Sequence, residues 1–194
     1  MNTKSITGIV LAGGRSSRMG SDKSLMKLKD KALIEYAIDA LKPICSKVVI
    51  SSNNFVYEFT GCEVWPDELP DRASMVGIYS CLKRSETDVN IILSCDMPLM
   101  SAAMFEYLLE NSANHDITVP VHGNHFIEPL CGIYKRSSIG ILKEFIDQGN
   151  FRLNECILSG SNRLVPVGPQ LPFFSPELFS NINTPDDYRR LQSL

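Results

Sequence analysis

Three cationic side chains, Arg15, Arg18 and Lys23, stand within nine residues of one another, interleaved with Gly13, Gly14, Ser16 and Gly20. Glycines without a Cβ let the backbone turn tightly and bring its N–H groups close to an anion. Guanidinium and ammonium groups beside them add fixed positive charge. The run follows Ile6 to Leu11, a short apolar stretch that reads as a buried strand. A loop leaving the carboxyl end of such a strand is where ligands sit in open α/β sheets. A flexible surface loop with solvated charges accounts for Arg15 or Lys23 taken singly. The whole run after a buried strand points to phosphate binding.

Two common phosphate motifs are excluded. A P-loop needs Lys directly after its last glycine, and here Ser21 and Asp22 separate Gly20 from Lys23. A dinucleotide fingerprint needs G-x-G-x-x-G, which Gly13-Gly14-Arg15 does not supply.

Carboxylates follow two other stretches. Asp96 comes just after the apolar run Ile91-Ile92-Leu93-Ser94. In a parallel sheet it shares an edge with the Gly13 loop, and a carboxylate facing phosphates calls for a cation such as Mg²⁺ between them. Position alone leaves this equal to an ordinary turn aspartate ahead of Pro98. Asp67, after Trp65-Pro66, reads by itself as a solvated turn residue. His122 and His125 have metal-ligand spacing, but Gly123 and Asn124 between them favour a hairpin tip.

The elements that must position these groups alternate between strand and helix, the pattern of an α/β sheet with parallel strands. Ile34, Ala37, Ile38 and Leu41 share one helical face, and Pro43 ends that helix. Val48–Ser51 and Ile91–Ser94 read as buried strands, and Met75–Arg84 as a helix. Ser101 is the expected cap of a helix with Phe105, Leu108 and Leu109 on one face. Residues 117–121 and 126–134 flank the Gly123-Asn124 turn and are expected as antiparallel edge strands. Ile139, Leu142 and Ile146 mark a helix closed by Gly149, and Leu164–Val167 a further strand. Residues 166–176 are Pro-rich and read as loop. Thr184-Pro185-Asp186-Asp187 is a helix start, with a Thr cap, Pro in the first turn and acids at the positive dipole end.

At 194 residues the chain is expected to be one domain with a substantial core. Residues past about 120 are expected to form a subdomain with no linker before it. A net charge of −3 argues against a general nucleic-acid binder. No apolar run reaches the roughly 18 residues of a membrane span. The N-terminus leads straight into a strand without a secretion signal, so the expected location is cytoplasmic. Six cysteines without a C-x-x-C pair then read as reduced, mostly buried thiols.

The run Leu11-Ala12-Gly13-Gly14-Arg15-Ser16-Ser17-Arg18-Met19-Gly20-Ser21-Asp22-Lys23-Ser24-Leu25 resembles the signature of the molybdenum cofactor guanylyltransferases, L-A-G-G-x-S-x-R-M-G-x-D-K-x-L, at every fixed position. Cys95-Asp96-Met97-Pro98 resembles the family's metal-binding C-D-x-P. Glu128-Pro129-Leu130-Cys131-Gly132-Ile133-Tyr134 is similar to its x-P-L-x-A-x-Y strand, and Asn181 to Asp187 to its N-x-N-T-P-E-D segment. One departure lies at Ala73-Ser74-Met75-Val76-Gly77, where the family usually has G-P-L-x-G and only the closing glycine remains.

The resemblance implies a Rossmann-like nucleotidyltransferase fold with a mostly parallel sheet and helices on both faces. It implies transfer of GMP from GTP to the terminal phosphate of molybdopterin, as the molybdenum cofactor, with release of pyrophosphate. It also implies that about residues 1–120 bind nucleotide and about 121–194 face the second substrate. Nucleotide contacts are implied at Leu11, Ala12, Gly13, Gly14, Arg15, Ser16, Lys23, Asn53, Asp67 and Asp96. Asn54 is chemically as good as its neighbour Asn53. Arg18 and Lys23 are expected to stabilise the departing pyrophosphate, Asp96 to bind Mg²⁺, and Asn183 to face the second substrate. Molybdoenzymes or cofactor-delivery proteins are further expected partners. Cytidylyl relatives have Ala at Gly13, so the glycine favours guanine. The alternatives are a cytidylyltransferase for the same cofactor, a sugar-phosphate nucleotidyltransferase, or a non-catalytic carrier of the cofactor.

Overall fold

The computed structural model describes residues 5–12, 23–71 and 73–193. In chain order the strands and α-helices are β1 (Ile6–Leu11), β2 (Lys27–Leu28), β3 (Lys31–Ala32), α1 (Leu33–Leu41), β4 (Lys47–Ser51), β5 (Glu63–Trp65), α2 (Ser74–Arg84), β6 (Val89–Ser94), α3 (Ala102–Glu110), β7 (Ile117–His122), β8 (Phe126–Ile127), β9 (Cys131–Lys135), α4 (Ile139–Asp147), α5 (Leu153–Ser159), β10 (Asn162–Pro166) and α6 (Pro185–Gln192).

One sheet in the order β10-β7-β9-β6-β1-β4-β5, with β8 beside β7, carries the molecule. β1 lies between β4 and β6, parallel to both. Its residues Ile9 and Val10 point to opposite faces, and each is wholly buried. Val10, Ile50, Ile91 and Leu93 pack with residues of α1 and α3 on one face. Ile9, Val49 and Ile92 pack with residues of α2, α4 and α5 on the other. A strand covered on both faces carries a near-continuous apolar run, which is why Ile9–Leu11 and Ile91–Leu93 do not alternate. Full burial of each such Ile or Leu stabilises the fold by about 1.5–3 kcal/mol.

β9 departs from the expected pattern. It is antiparallel to both neighbours, β6 and β7, and it lies inside the sheet. The edges are β5 and β10 instead. The cause is chain length. Between the end of β7 and the start of β9 only residues 123–130 are available, and a parallel return needs a crossover of roughly a dozen residues or more. Residues 126–134 are also broken by Pro129 rather than forming one strand. At Gly132 in β9, a Cβ would lie 2.7 Å from the Thr118 carbonyl of β7, so only glycine allows this approach.

Short elements escaped the sequence patterns: β2, β3, β5 and α5. Ser101 does precede α3, but its hydroxyl makes no capping bond and is buried without a partner among the described residues. Thr184 caps α6 as expected, its hydroxyl accepting from the Asp187 N–H while the Asp187 carboxylate takes the Thr184 N–H. Leu191 of α6, with Ile182, packs against Leu28 and Leu33, and so brings the C-terminal segment back to the N-terminal half. Cys81, Cys95, Cys131 and Cys156 are buried, and burial pushes the Cys81 thiol up to about 12.

Candidate active site

Because β1, β4 and β6 run the same way, their carboxyl ends meet at one edge. Leu11 is tied there on both sides. Its carbonyl accepts from the Cys95 N–H at 3.1 Å, and the next N–H, of Ala12, donates to the Ser51 carbonyl at 3.0 Å. Gly13, Gly14, Arg15, Ser16 and Arg18 lie outside the described residues.

Lys23 opens a single 3₁₀ turn, Lys23–Leu25. Its ammonium donates to Asp96 Oδ2 at 2.9 Å and to Asn183 Oδ1 at 2.9 Å. The lysine is not the exposed loop residue that its sequence suggests: its side chain is 15% exposed, and that of Asp96 21%. Ser24, next in the turn, pairs its hydroxyl with that of the fully buried Tyr57 at 2.9 Å. That contact anchors the backbone from which Lys23 projects.

Asp96 is held from three directions. Ser94 donates its hydroxyl to Oδ1 at 2.6 Å, Lys23 holds Oδ2, and the Asp96 carbonyl accepts from the Ile182 N–H at 3.0 Å. The last bond fixes Asn183 beside the carboxylate, and the Asn183 N–H in turn donates to Asp187 at 3.0 Å. The capping network of α6 therefore also sets where Asn183 stands. Ser94 was not singled out from the sequence, although a hydroxyl at the end of an apolar strand two residues before an acid was a visible signal.

A second cluster stands at the ends of β4 and β5. Asn53 Nδ2 donates to Asp67 Oδ2 at 2.8 Å, and the Asp67 N–H donates to Asn53 Oδ1 at 2.9 Å. Asn54 instead directs its N–H to the Ser52 hydroxyl. The structure thus joins Asn53, not its neighbour, to the acid. Partial burial raises the Asp67 carboxyl above its ordinary value, and the Asn53 bond offsets part of that rise. Gly77, the retained glycine of the variant segment, closes this cluster from α2. A Cβ on it would lie 2.8 Å from Ser51 Oγ and 3.4 Å from Asp67 Oδ1.

The donor set suits Mg²⁺ in one specific sense. Asp96 already accepts a cation, the Lys23 ammonium. Mg²⁺ commonly takes one or two carboxylates and fills its remaining positions with water and substrate phosphates. No group of three or more His, Cys, Asp or Glu placed for a metal occurs among the described residues, so an ion here would depend on the nucleotide for its other ligands.

Residues 8–162 match the MobA-like NTP transferase domain. The chain belongs to that family. This transferase is 31% identical over 97% of its length to a probable molybdenum cofactor guanylyltransferase of Carboxydothermus hydrogenoformans, covering 95% of that protein. It is 32% identical to one of Clostridium perfringens, with 94% of this chain and 93% of the relative covered. The crystal structure of molybdopterin-guanine dinucleotide biosynthesis protein A from Archaeoglobus fulgidus superposes with a TM-score of 0.81 at 27% identity, over 96% of this chain and 97% of that one. No helix among the described residues is long and apolar enough to cross a membrane.

Proposed function

We propose that this transferase moves GMP from GTP to the terminal phosphate of molybdopterin, forming the guanine dinucleotide cofactor and pyrophosphate. The observation that carries this reading is the convergence of Lys23, Asp96 and Asn183 at the edge where β1 ends. A cofactor carrier has no need of an ammonium and a carboxylate facing the same point. The names of the relatives supply the substrates.

In the reaction an oxygen of the acceptor phosphate attacks the α-phosphorus of GTP. The bond from that phosphorus to the α–β bridging oxygen breaks, and pyrophosphate leaves with the electron pair. No protein nucleophile is required; positioning and charge neutralisation suffice. Lys23 exchanges its carboxylate partner for the phosphates and stabilises charge developing on the leaving group. Asp96, kept in place by Ser94, is the residue that would hold Mg²⁺. Bound there, the ion would supply neutralisation of the phosphate oxygens. Asp67 serves the base: a carboxylate only accepts, and guanine offers two adjacent donors, N1–H and the 2-amino group, where cytosine offers one amino group beside an acceptor. Gly13, Gly14, Arg15, Ser16 and Arg18 are assigned to the phosphates from the sequence.

The test is titration calorimetry followed by turnover. GTP binds at least about tenfold more tightly than CTP, which requires about 1.4 kcal/mol of discrimination. Turnover with GTP, Mg²⁺ and molybdopterin yields pyrophosphate. Equal affinity for the two nucleotides favours the cytidylyl reading, and binding without turnover favours a carrier.

A further inference from the structure

A transferase that joins two substrates at Asp96 needs a seat on each side of it. The nucleotide side is built from the ends of β1, β4 and β5. On the other side β7 runs in the same direction as β6, so its last residue, His122, reaches the same edge. The link from β8 to β9 reaches it too, because the Leu130 carbonyl accepts from the Ser94 N–H at 2.9 Å and Glu128 stands two residues beyond. Two features there have no evident role in the fold.

The first is Glu128, whose side chain is only 19% exposed. His122 Nε2 lies 2.9 Å from Glu128 Oε1, a distance at which the ring N–H donates to the carboxylate. The second carboxylate oxygen has no partner among the described residues. That oxygen is left to accept from a donor on a ligand. The position of Glu128 is firmly set. The Glu128 N–H donates to the Pro120 carbonyl at 3.1 Å, and the buried Tyr134 hydroxyl donates to the carbonyl of Pro129, the next residue, at 2.6 Å. The second is Phe126. It pairs with His122 across the hairpin, on the same face, yet remains 64% exposed.

His122 is fixed in turn by Phe179, stacked at 4.1 Å between ring centroids and 7° between planes. Phe179 lies three residues before Ile182, whose N–H bonds Asp96. The Glu128 pair and the Lys23–Asp96–Asn183 cluster are therefore braced by one stretch of chain.

We propose that Glu128, oriented by His122, and the exposed ring of Phe126 form the seat of the acceptor's pterin ring. The proposal rests on the acceptor assigned above. A pterin is flat, suited to stacking on an aromatic side chain, and its pyrimidinone ring presents N3–H and the 2-amino group side by side in one plane. Those two donors match a carboxylate with an unused oxygen.

The test uses the whole protein with Glu128→Gln and Phe126→Ala. Glu128→Gln keeps an acceptor for His122 but removes the charge, and Phe126→Ala removes a side chain that is mostly in solvent. Three measurements are made: GTP affinity by calorimetry, turnover against molybdopterin concentration at saturating GTP, and quenching of neopterin fluorescence. Wild type quenches neopterin, with or without GTP bound. Each variant raises KM for molybdopterin by about tenfold or more and weakens neopterin binding by a similar factor, while GTP affinity stays within about twofold. Unchanged KM and neopterin affinity in both variants overturn the proposal, as does absence of neopterin quenching by wild type. If wild type fails to turn over GTP, the transfer reading falls, and the neopterin arm still decides the ring seat.

Discussion

The Lys23 ammonium lies 2.9 Å from Asp96 Oδ2, an ion pair between residues 73 positions apart that closes the site over the end of β6. The same ammonium reaches Asn183, 160 positions away. Lys23 thus draws together the turn Lys23–Leu25, the end of β6 and the segment before α6.

Lys23→Ala removes the charge assigned to the leaving pyrophosphate. Turnover is expected to fall by about two orders of magnitude or more, the scale of a lost transition-state electrostatic contact. Asp96 keeps the Ser94 hydroxyl but loses its charged partner, so a stability loss of about 1.5–3 kcal/mol accompanies the change. Steady-state kinetics and a urea melt read the two effects separately. Near-normal turnover in a folded variant would remove Lys23 from the reaction.

Asp96→Asn retains the size and one acceptor oxygen for Lys23, while its amide N–H can donate to the Ser94 hydroxyl in place of the oxygen that accepted from it, but the negative charge is gone. Turnover that depends on Mg²⁺ is expected to vanish with folding near normal. GTP binding without metal holds or improves slightly, since a repulsive charge is gone. Rate measured against Mg²⁺ concentration decides it: a wild-type curve would make Asp96 a structural turn residue.

Asp67→Asn separates function from stability. Burial raises the Asp67 carboxyl in the folded state. The folded protein therefore binds that proton more tightly than the unfolded chain. The resulting stabilisation is full below the unfolded value, about 3.9, and is lost as pH rises through the higher folded value. At pH 7 the ionised carboxylate is a cost, which Asn removes. The variant's Tm is expected to equal or exceed wild type at pH 7, with the gap shrinking toward pH 3.5, while GTP affinity falls about tenfold. A lower Tm at pH 7 with full GTP affinity would contradict both halves of the argument.

Gly77→Ala places a methyl group 2.8 Å from Ser51 Oγ, a buried hydroxyl on the central part of the sheet. Overpacking of this kind costs about 1–3 kcal/mol. Adding Ser51→Ala removes the clashing atom, and the double variant is expected to recover most of the loss. Chemical denaturation of the two single variants and the double variant measures the coupling. Additive losses would show that the strain lies elsewhere.

Local chemistry made much of this protein legible. The apolar runs of β1, β4 and β6, the facial periodicity of α1 and α4, and the Thr184-Pro185 start of α6 each depend on residues a few positions apart. So does the glycine- and arginine-rich loop, which identified the chemistry before any fold was known. The placement of β9 inside the sheet was not legible, because pairing partners are chosen by loop length and by packing against strands distant in sequence. The short strands β2, β3 and β5 have too few residues to show a period. The choice of Asn53 over Asn54 came from where β5 places Asp67, and the burial of Lys23 from where β6 and residue 183 arrive. His122 reads as an ordinary hairpin residue until Phe179 is seen stacked on the imidazole, and Glu128 as an unassigned position ahead of Pro129 until His122 is seen against it. A sequence records which side chains can hydrogen-bond, ionise or stack; only the closed sheet, with its C-terminal segment folded back across β6, decides which of them meet.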